Sequence, residues 1–430
     1  LIKQEEKRQQ ETLMLIPSEN IASRAVEEAV ASIFGNKYAE GYPFKRYYQG
    51  QQYVDQLETL VIERTKKLFR VPHANVQPYS GSPANLAVLL ALAKPGDSIM
   101  GLSLDSGGHL THGSKASYTG KLFHSVQYGV NKQGLIDYDD VFKLAKKVKP
   151  KVIIAGITAY PRVLDWKKFA QIADEVEAYL MADIAHLAGL VIAGAYPSPA
   201  PFTHVVTTTT HKTLRGPRGA LIMVTERGLK KDPDLQEKID KSVFPGLQGG
   251  PHENTIAGIG IALKEVSQNS FRVYAKQIVK NARALASQLN SYGFDLVSGG
   301  TDSHLILINL QNKNLLGNTV AEACEEAGMV LNRNAIPNDP NPPYYPSGIR
   351  LGTPGVTSRG MKEKEMKHIA QCINDVVVTL QDIKKKTKMT MLDERKRENR
   401  IKIIKQAKTL RKVRQRVLQL CTKFPIKKYY

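Results

Sequence analysis

The chain reads as an α/β protein built on a mostly parallel, doubly wound sheet. Apolar, β-branched runs at 98–104, 151–158, 178–183, 203–210 and 219–224 have the character of buried strands. Stretches of helical spacing separate them, and strands that alternate with helices build parallel sheets. The runs end in polar or glycine-rich turns, where such folds carry their functional groups. At 430 residues the chain exceeds what one small core organises. We expect an N-terminal helical arm (1–35), a large domain (36–280) and a smaller α+β C-terminal domain (281–430) ending in a basic helix.

Hydrophobic residues make up 42% of the chain, with 22 prolines and 32 glycines, an ordinary soluble globular composition. No apolar run approaches the roughly 20 residues that span a bilayer, so no membrane partner is expected. The opening Leu1-Ile2-Lys3-Gln4 lacks both Met and an apolar signal core and reads as the start of a trimmed or processed chain. Cys324, Cys372 and Cys421 are odd in number and widely spaced, which fits a reducing compartment. The expected location is the cytoplasm, or an organelle matrix if a targeting peptide has been removed. A net charge of +21 attracts polyanions, nucleic acid among them, but names no specific partner.

Taken in order, residues 1–35 form a helical arm, charged first and then apolar from Leu13 to Ile16. Ser18 or Asn20 could cap a helix beginning near Ser23. Asn36–Tyr48 is an aromatic, Gly/Pro-punctuated loop with one central carboxylate, Glu40. A helix at about 52–70 precedes Ser80-Gly81-Ser82-Pro83, where Pro at the first helical position marks a strong helix start. Free N–H groups and hydroxyls there either cap the helix or bind phosphate. The strand from Ser98 leads to His109 and His112, which have no third ligand at a metal-binding spacing. Phe244–His252 is a glycine-rich loop needing unusual backbone angles. A long helical region, roughly 253–292, bridges to a strand at Ser303–Leu310, a loop from Leu331 to Pro340 and Arg350. From Lys384 onward the chain is basic. Ile403, Ala407, Leu410, Val413, Val417, Leu420 and Phe424 recur at helical spacing, one buried stripe under a solvated cationic face.

Two of the strand ends carry chemistry. Tyr179–Asp183 closes on a buried acid, and a buried carboxylate needs a cationic partner such as a protonated pyridine nitrogen. Thr203–Thr210 stops at His211-Lys212, and Gly216, Pro217 and Gly219 then turn the chain. A desolvated lysine there can attack a carbonyl. Strand-Asp183-x-x-His186 followed by strand-His211-Lys212 reads as a pyridoxal-phosphate site. The full wording, Thr207-Thr208-Thr209-Thr210-His211-Lys212-Thr213-Leu214 with Gly216-Pro217-Arg218-Gly219, closely resembles the serine hydroxymethyltransferases. The likeness runs from about residue 5 to 424, with the motifs in the family's order.

That resemblance implies fold type I of the pyridoxal-phosphate enzymes, aminotransferase-like, with a seven-stranded sheet between helices in the large domain. It implies reversible conversion of L-serine and tetrahydrofolate to glycine and 5,10-methylenetetrahydrofolate, with a homodimer as the working unit and a tetramer left open. It assigns catalytic roles to Lys212, Glu40, Asp183, His109, His186 and His211. Cofactor contacts would come from these histidines, Asp183 and Lys212, with Tyr38, Gly81, Ser82, Thr158, Thr209 and Gly250. Ser18, Glu40, Tyr48 and Arg350 would hold the amino acid; Arg350 would take its carboxylate. Leu104, Gly108, His109, Leu110 and Asn334 would line the folate pocket. Pro17, Phe44, Tyr79, Pro83 and Pro161 depart from the family's usual residues. A threonine aldolase, or a nucleic-acid-binding relative without catalysis, would be the alternatives.

Overall fold

The computed structural model describes residues 1–427; the end of the basic tail, Lys428 to Tyr430, lies outside the described residues. Seven strands make the central sheet: β1 (His73–Asn75), β2 (Ser98–Leu102), β3 (His124–Tyr128), β4 (Val152–Gly156), β5 (Tyr179–Asp183), β6 (Val205–Thr209) and β7 (Ala220–Val224). They lie in the order β1-β7-β6-β5-β4-β2-β3. From β3 to β6 every neighbour is parallel; β7 runs antiparallel to both β6 and β1. All five expected runs are strands. The sequence reading missed β1 and β3, which sit at the sheet's two edges. β3 is largely open to solvent, so it lacks the continuous apolar run of a central strand.

Alternate residues of the central strands feed two apolar layers. Met100, Ile153, Leu180, Val206 and Leu221 face one side, with Trp166 and Phe169. Ile99, Ile154, Met181, Val205 and Ile222 face the other, with Val88 and Leu235. The sheet is therefore covered on both faces, and polar groups are confined to the strand ends. Gly156 pairs with Asp183, and Asp183 with Thr207, which aligns the ends of three strands. A Cβ on Gly156 would lie 2.8 Å from the Cβ of Asp183, so only glycine lets that acid approach.

The C-terminal portion holds a four-stranded antiparallel sheet: β8 (Asp295–Leu296), β9 (Leu305–Asn309), β10 (Asn332–Asn334) and β11 (Gly348–Gly352), in the order β8-β9-β11-β10. Asn334 thus ends a strand rather than lying in a loop. The expected 253–292 helix is two, Glu253–Val266 and Asn269–Ser291. In the arm, Ser23 itself caps the helix Arg24–Val30 by accepting from the Val26 N–H at 3.3 Å, so neither Ser18 nor Asn20 is the cap. Leu13–Met14 pairs in parallel with Met329–Val330, and Leu13 and Leu15 join the C-terminal core.

The basic tail is two helices, Arg397–Gln406 and Thr409–Lys423, because Ala407 leaves helical angles (φ −77°, ψ 72°). The stripe from Ile403 to Val417 is buried across both, as its spacing required. A buried ion pair ties this region down. Lys384 pairs with Glu394, and Glu394 also accepts from the Leu316 N–H and the Thr319 hydroxyl. Breaking one side of such a pair strands a buried charge at a cost of about 3–5 kcal/mol. Lys384→Met should lower stability by that amount in denaturant unfolding. Lys384→Met with Glu394→Met should recover much of the loss; a double variant as unstable as the single would contradict the pairing.

Candidate active site

Asp183 closes β5 and is buried, yet it makes three hydrogen bonds. It accepts from Asn85 Nδ2 at 2.8 Å, His112 Nε2 at 3.0 Å and the Ala185 N–H at 3.0 Å. Burial alone would raise its pKa; the hydrogen bonds from His112 and Asn85 override burial and hold it well below the usual carboxylate range. Asn85 is itself fixed, bonded to Thr111 Oγ1 at 2.8 Å and accepting from Thr207 Oγ1 at 2.7 Å. The sequence reading gave Asn85 no role and weighed His112 only as a metal ligand. Asn85 lies one helical turn past the Ser82-Pro83 start, and His112 three residues after His109, but no local pattern reveals that they converge on an acid of another strand.

Lys212 follows β6. It is 9% exposed, and burial pulls its ammonium down to about 8, with Arg350 and Arg218 acting the same way and Asp183 opposing them. Asn20 Nδ2 donates to the Lys212 carbonyl at 2.9 Å, so the arm pins the lysine's backbone. Beside it, burial and then the Lys212 charge bring His211 down to about 3, and its buried Nδ1 has no hydrogen-bond partner among the described residues. Thr209 is buried at the end of β6 and donates to the Ala185 carbonyl at 3.2 Å.

Three more imidazoles are held neutral by burial. His109 is brought to about 4 and bonds Thr111 Oγ1 at 2.7 Å. His186 lies well below the ordinary range, and its Nδ1 meets His304 Nε2 at 3.3 Å, with the rings stacked 5.5 Å apart. His304, brought to about 3, begins the approach to β9 and was not singled out from the sequence. This pair bridges the large sheet and the C-terminal portion.

Arg350 on β11 is 8% exposed and pairs with no carboxylate among the described residues. Its Nη1 donates to the Thr158 carbonyl at 2.6 Å and its Nε to Asn332 Oδ1 at 3.2 Å. Ser18 is half-buried; the adjacent Pro17 packs directly on Gly352 at the end of that strand. At the start of the helix Gly81–Leu92, the Ser80 side chain makes no cap hydrogen bond, leaving the first-turn N–H groups for another acceptor. A Cβ on Gly81 would meet Thr209 Cγ2 at 2.7 Å, which brings the cradle against β6. Exposed Leu104 and Leu110 flank buried Gly108, where a Cβ would meet the Leu102 carbonyl at 1.9 Å. Asn334 donates to the Ala335 carbonyl at 2.7 Å.

The remaining residues form a separate, exposed group. Tyr38 and Tyr48 pack edge to face 5.0 Å apart, and Tyr38 Oη lies 3.4 Å from Glu40 Oε1. The Glu40 charge raises the Tyr48 pKa. Gly249 and Gly250 lie under Glu40 and Tyr38, so a Cβ on either would touch those side chains. Tyr79 stacks on His252 at 4.1 Å and donates to the Gly250 carbonyl at 2.8 Å, fixing this glycine loop. Pro161 begins a turn whose Arg162 is bonded to Ser298 and Asp302.

A buried lysine of lowered pKa beside an ionised aspartate at adjacent strand ends, with an uncapped helix start, fits an aldehyde cofactor that carries a phosphate and a basic ring nitrogen. Fold and site define a pyridoxal-phosphate-dependent enzyme of fold type I. The family model for serine hydroxymethyltransferase matches residues 1–373, and the chain belongs to that family. It is 57% identical over 381 residues to a serine hydroxymethyltransferase from Acidothermus cellulolyticus, covering 88% of each chain. Proteins of the same name from Desulfotalea psychrophila and Legionella pneumophila are 54% and 53% identical over 382 residues, covering 89% of this chain and 88% and 90% of theirs.

The lowered pKa of Lys212 sets a pH dependence. Below about 8 the side chain is an ammonium and cannot attack an aldehyde; above it the amine is free. Capture of pyridoxal phosphate by cofactor-free protein, trapped with borohydride and mapped to Lys212, should rise with pH to a midpoint near 8. A midpoint near 10, as for an ordinary lysine, would refute the burial argument.

Proposed function

We propose that Lys212, Asp183, Arg350 and Glu40 carry the reaction of this family, in which L-serine and tetrahydrofolate are reversibly converted to glycine and 5,10-methylenetetrahydrofolate, a source of one-carbon units. Bound pyridoxal phosphate supplies an electron sink for the substrate's α-carbon. Lys212 is the amine that holds the cofactor's aldehyde, and Asp183 keeps a proton on its ring nitrogen. The first-turn N–H groups at Gly81 and Ser82 receive its phosphate. His109 covers the ring face, with Thr158, Thr209, His186 and His211 packed around it.

Arg350 clamps the substrate carboxylate, and its planar fork fixes which bond at the α-carbon faces the ring. Ser18 and Tyr48 complete the amino-acid pocket. Glu40 takes and returns the proton of the hydroxymethyl oxygen. Leu104, Gly108, Leu110 and Asn334 form the folate wall. Tyr38, Glu40, Tyr48 and Gly250 cluster apart from Lys212 on an exposed face, which supports their serving the site of a second copy in a homodimer. We keep the division into an arm (1–35), a large domain (36–280) and a small domain (281–430); two separate cores support the boundary between the last two, and the arm contributes to both, with Val26 in one and Leu13 and Leu15 in the other. Three buried free cysteines support a reducing compartment, and we assign the cytoplasm. Among the described residues no helix is long and apolar enough to cross a membrane.

The observation that carries this reading is the juxtaposition of a lysine depressed to about 8 and an aspartate kept ionised. Serine cleavage stimulated by tetrahydrofolate tests it and separates it from a threonine aldolase. Glu40→Gln should retain the cofactor absorbance but lose about 10²–10⁴ of that stimulated rate. Mixing Lys212→Ala protomers with Glu40→Ala protomers should restore part of the activity; an inactive mixture that still forms dimers would rule out shared sites.

A further inference from the structure

A large cavity lies apart from Lys212, which is not among its lining residues. It is an open trough of about 1090 Å³ where three helices converge on the loop 191–198. The helix Gln52–Phe69 and its cap bring Arg64, Lys67 and Arg70; Glu253–Val266 brings Lys264; Asn269–Ser291 brings Arg272 and Lys276. No aspartate or glutamate lines it, and none of the six cations joins an ion pair among the described residues. The nearest acids in sequence are committed elsewhere: Glu63 pairs with Lys66 at 2.7 Å and Glu265 takes the Ser23 hydroxyl at 2.5 Å. On the large domain some basic side chains do pair with acids, as in Lys143–Asp140 and Lys238–Asp232.

Six like charges around one concavity repel one another, and a concave low-dielectric wall focuses their field. The arrangement is relieved by an anion that brings several charges in a small volume. A phosphate group carries about one to two negative charges, so a short phosphate chain matches six cations within one trough. Three of the six are arginines, whose forks bind phosphate oxygens in pairs. We propose that this trough is a binding site for a compact polyphosphate, whether a free phosphate chain or the polyphosphate arm of a nucleotide. Half-buried Leu68 lines the trough and would contact a nucleotide's base.

The test uses cofactor-loaded protein, so that the phosphate cradle at Gly81 is filled. Isothermal titration with sodium tripolyphosphate at low salt should give saturable binding that weakens as salt rises. Arg272→Glu with Lys276→Glu should weaken it at least tenfold while leaving serine cleavage unchanged. Arg411→Glu with Lys412→Glu, on the last helix, alters net charge equally and should weaken it less than twofold. Tighter binding of ATP than tripolyphosphate identifies the nucleotide as the source; equal binding identifies the free chain. No saturable heat, or equal weakening by both variant pairs, overturns the site. Preference for a single-stranded oligonucleotide at equal phosphate overturns it in favour of nucleic acid.

Discussion

Everything in the site depends on keeping a carboxylate ionised where burial opposes it. Asp183 has almost no contact with water, so its charge survives only because three donors face it. Hydrogen bonds to a charged group contribute about 1.5–3 kcal/mol each. Those donors come from a helix, a loop and the next turn of the chain. Each is fixed in turn: Asn85 by Thr207 and Thr111, and His112 by the N–H of His109 at 3.1 Å. The charge on Asp183 therefore dictates the packing of several elements, and the same negative field limits how far the Lys212 ammonium is depressed. The same anion opposes burial at Lys212 and His109, while burial is the main cause that lowers His186, His211 and His304.

The exposed group around Glu40 is governed by a different buried charge. Arg46 donates to Asp55 at 2.9 Å, to the carbonyls of Ala39 and Gly41 at 2.8 and 2.9 Å, and to Glu58. Glu253, at the start of the helix that follows the Gly250 loop, shares this cluster, and burial together with the Glu58 charge pushes its pKa up. One guanidinium thus faces three acids and orders the loop that carries Tyr38, Glu40 and Tyr48. An exposed loop with aromatic side chains is held rigid from beneath. This agrees with the proposal that this face meets a second copy, since ordering at an interface otherwise costs affinity.

The sequence disclosed what local chemistry encodes. β4, β6 and β7 are apolar and buried on both faces, so continuous β-branched or aliphatic runs mark them. Lys212 and Asp183 stood out because each follows or closes an apolar strand, whereas Arg350 lies mid-strand between Ile349 and Leu351 and was singled out only by the family wording around it. The edge strands were silent, because half-exposed backbone leaves no pattern. Asn85, His112 and His304 were silent for another reason. Each looks like an ordinary helix or turn residue, and its role arises from contacts across 98, 71 and 118 positions of sequence. The misplaced cap shows the same limit: Ser18, Asn20 and Ser23 are equivalent by type, and only the tertiary demand on Asn20 decides among them.

The place of Arg350 shows how the two parts of the chain act together. It rises from the small sheet, yet its strongest contact is the Thr158 carbonyl at the end of β4. That bond and the His186–His304 stack cross the same boundary. A guanidinium has five N–H donors, and these two contacts occupy Nε and one on Nη1. Donors on both terminal nitrogens therefore stay available for two parallel bonds to a carboxylate. A neutral carbonyl and an amide hold the arginine without cancelling its charge, whereas an acidic partner would. The large sheet orients this guanidinium and leaves its positive charge unspent. The orientation of an arginine on the small sheet is thus coupled to the geometry of the large one.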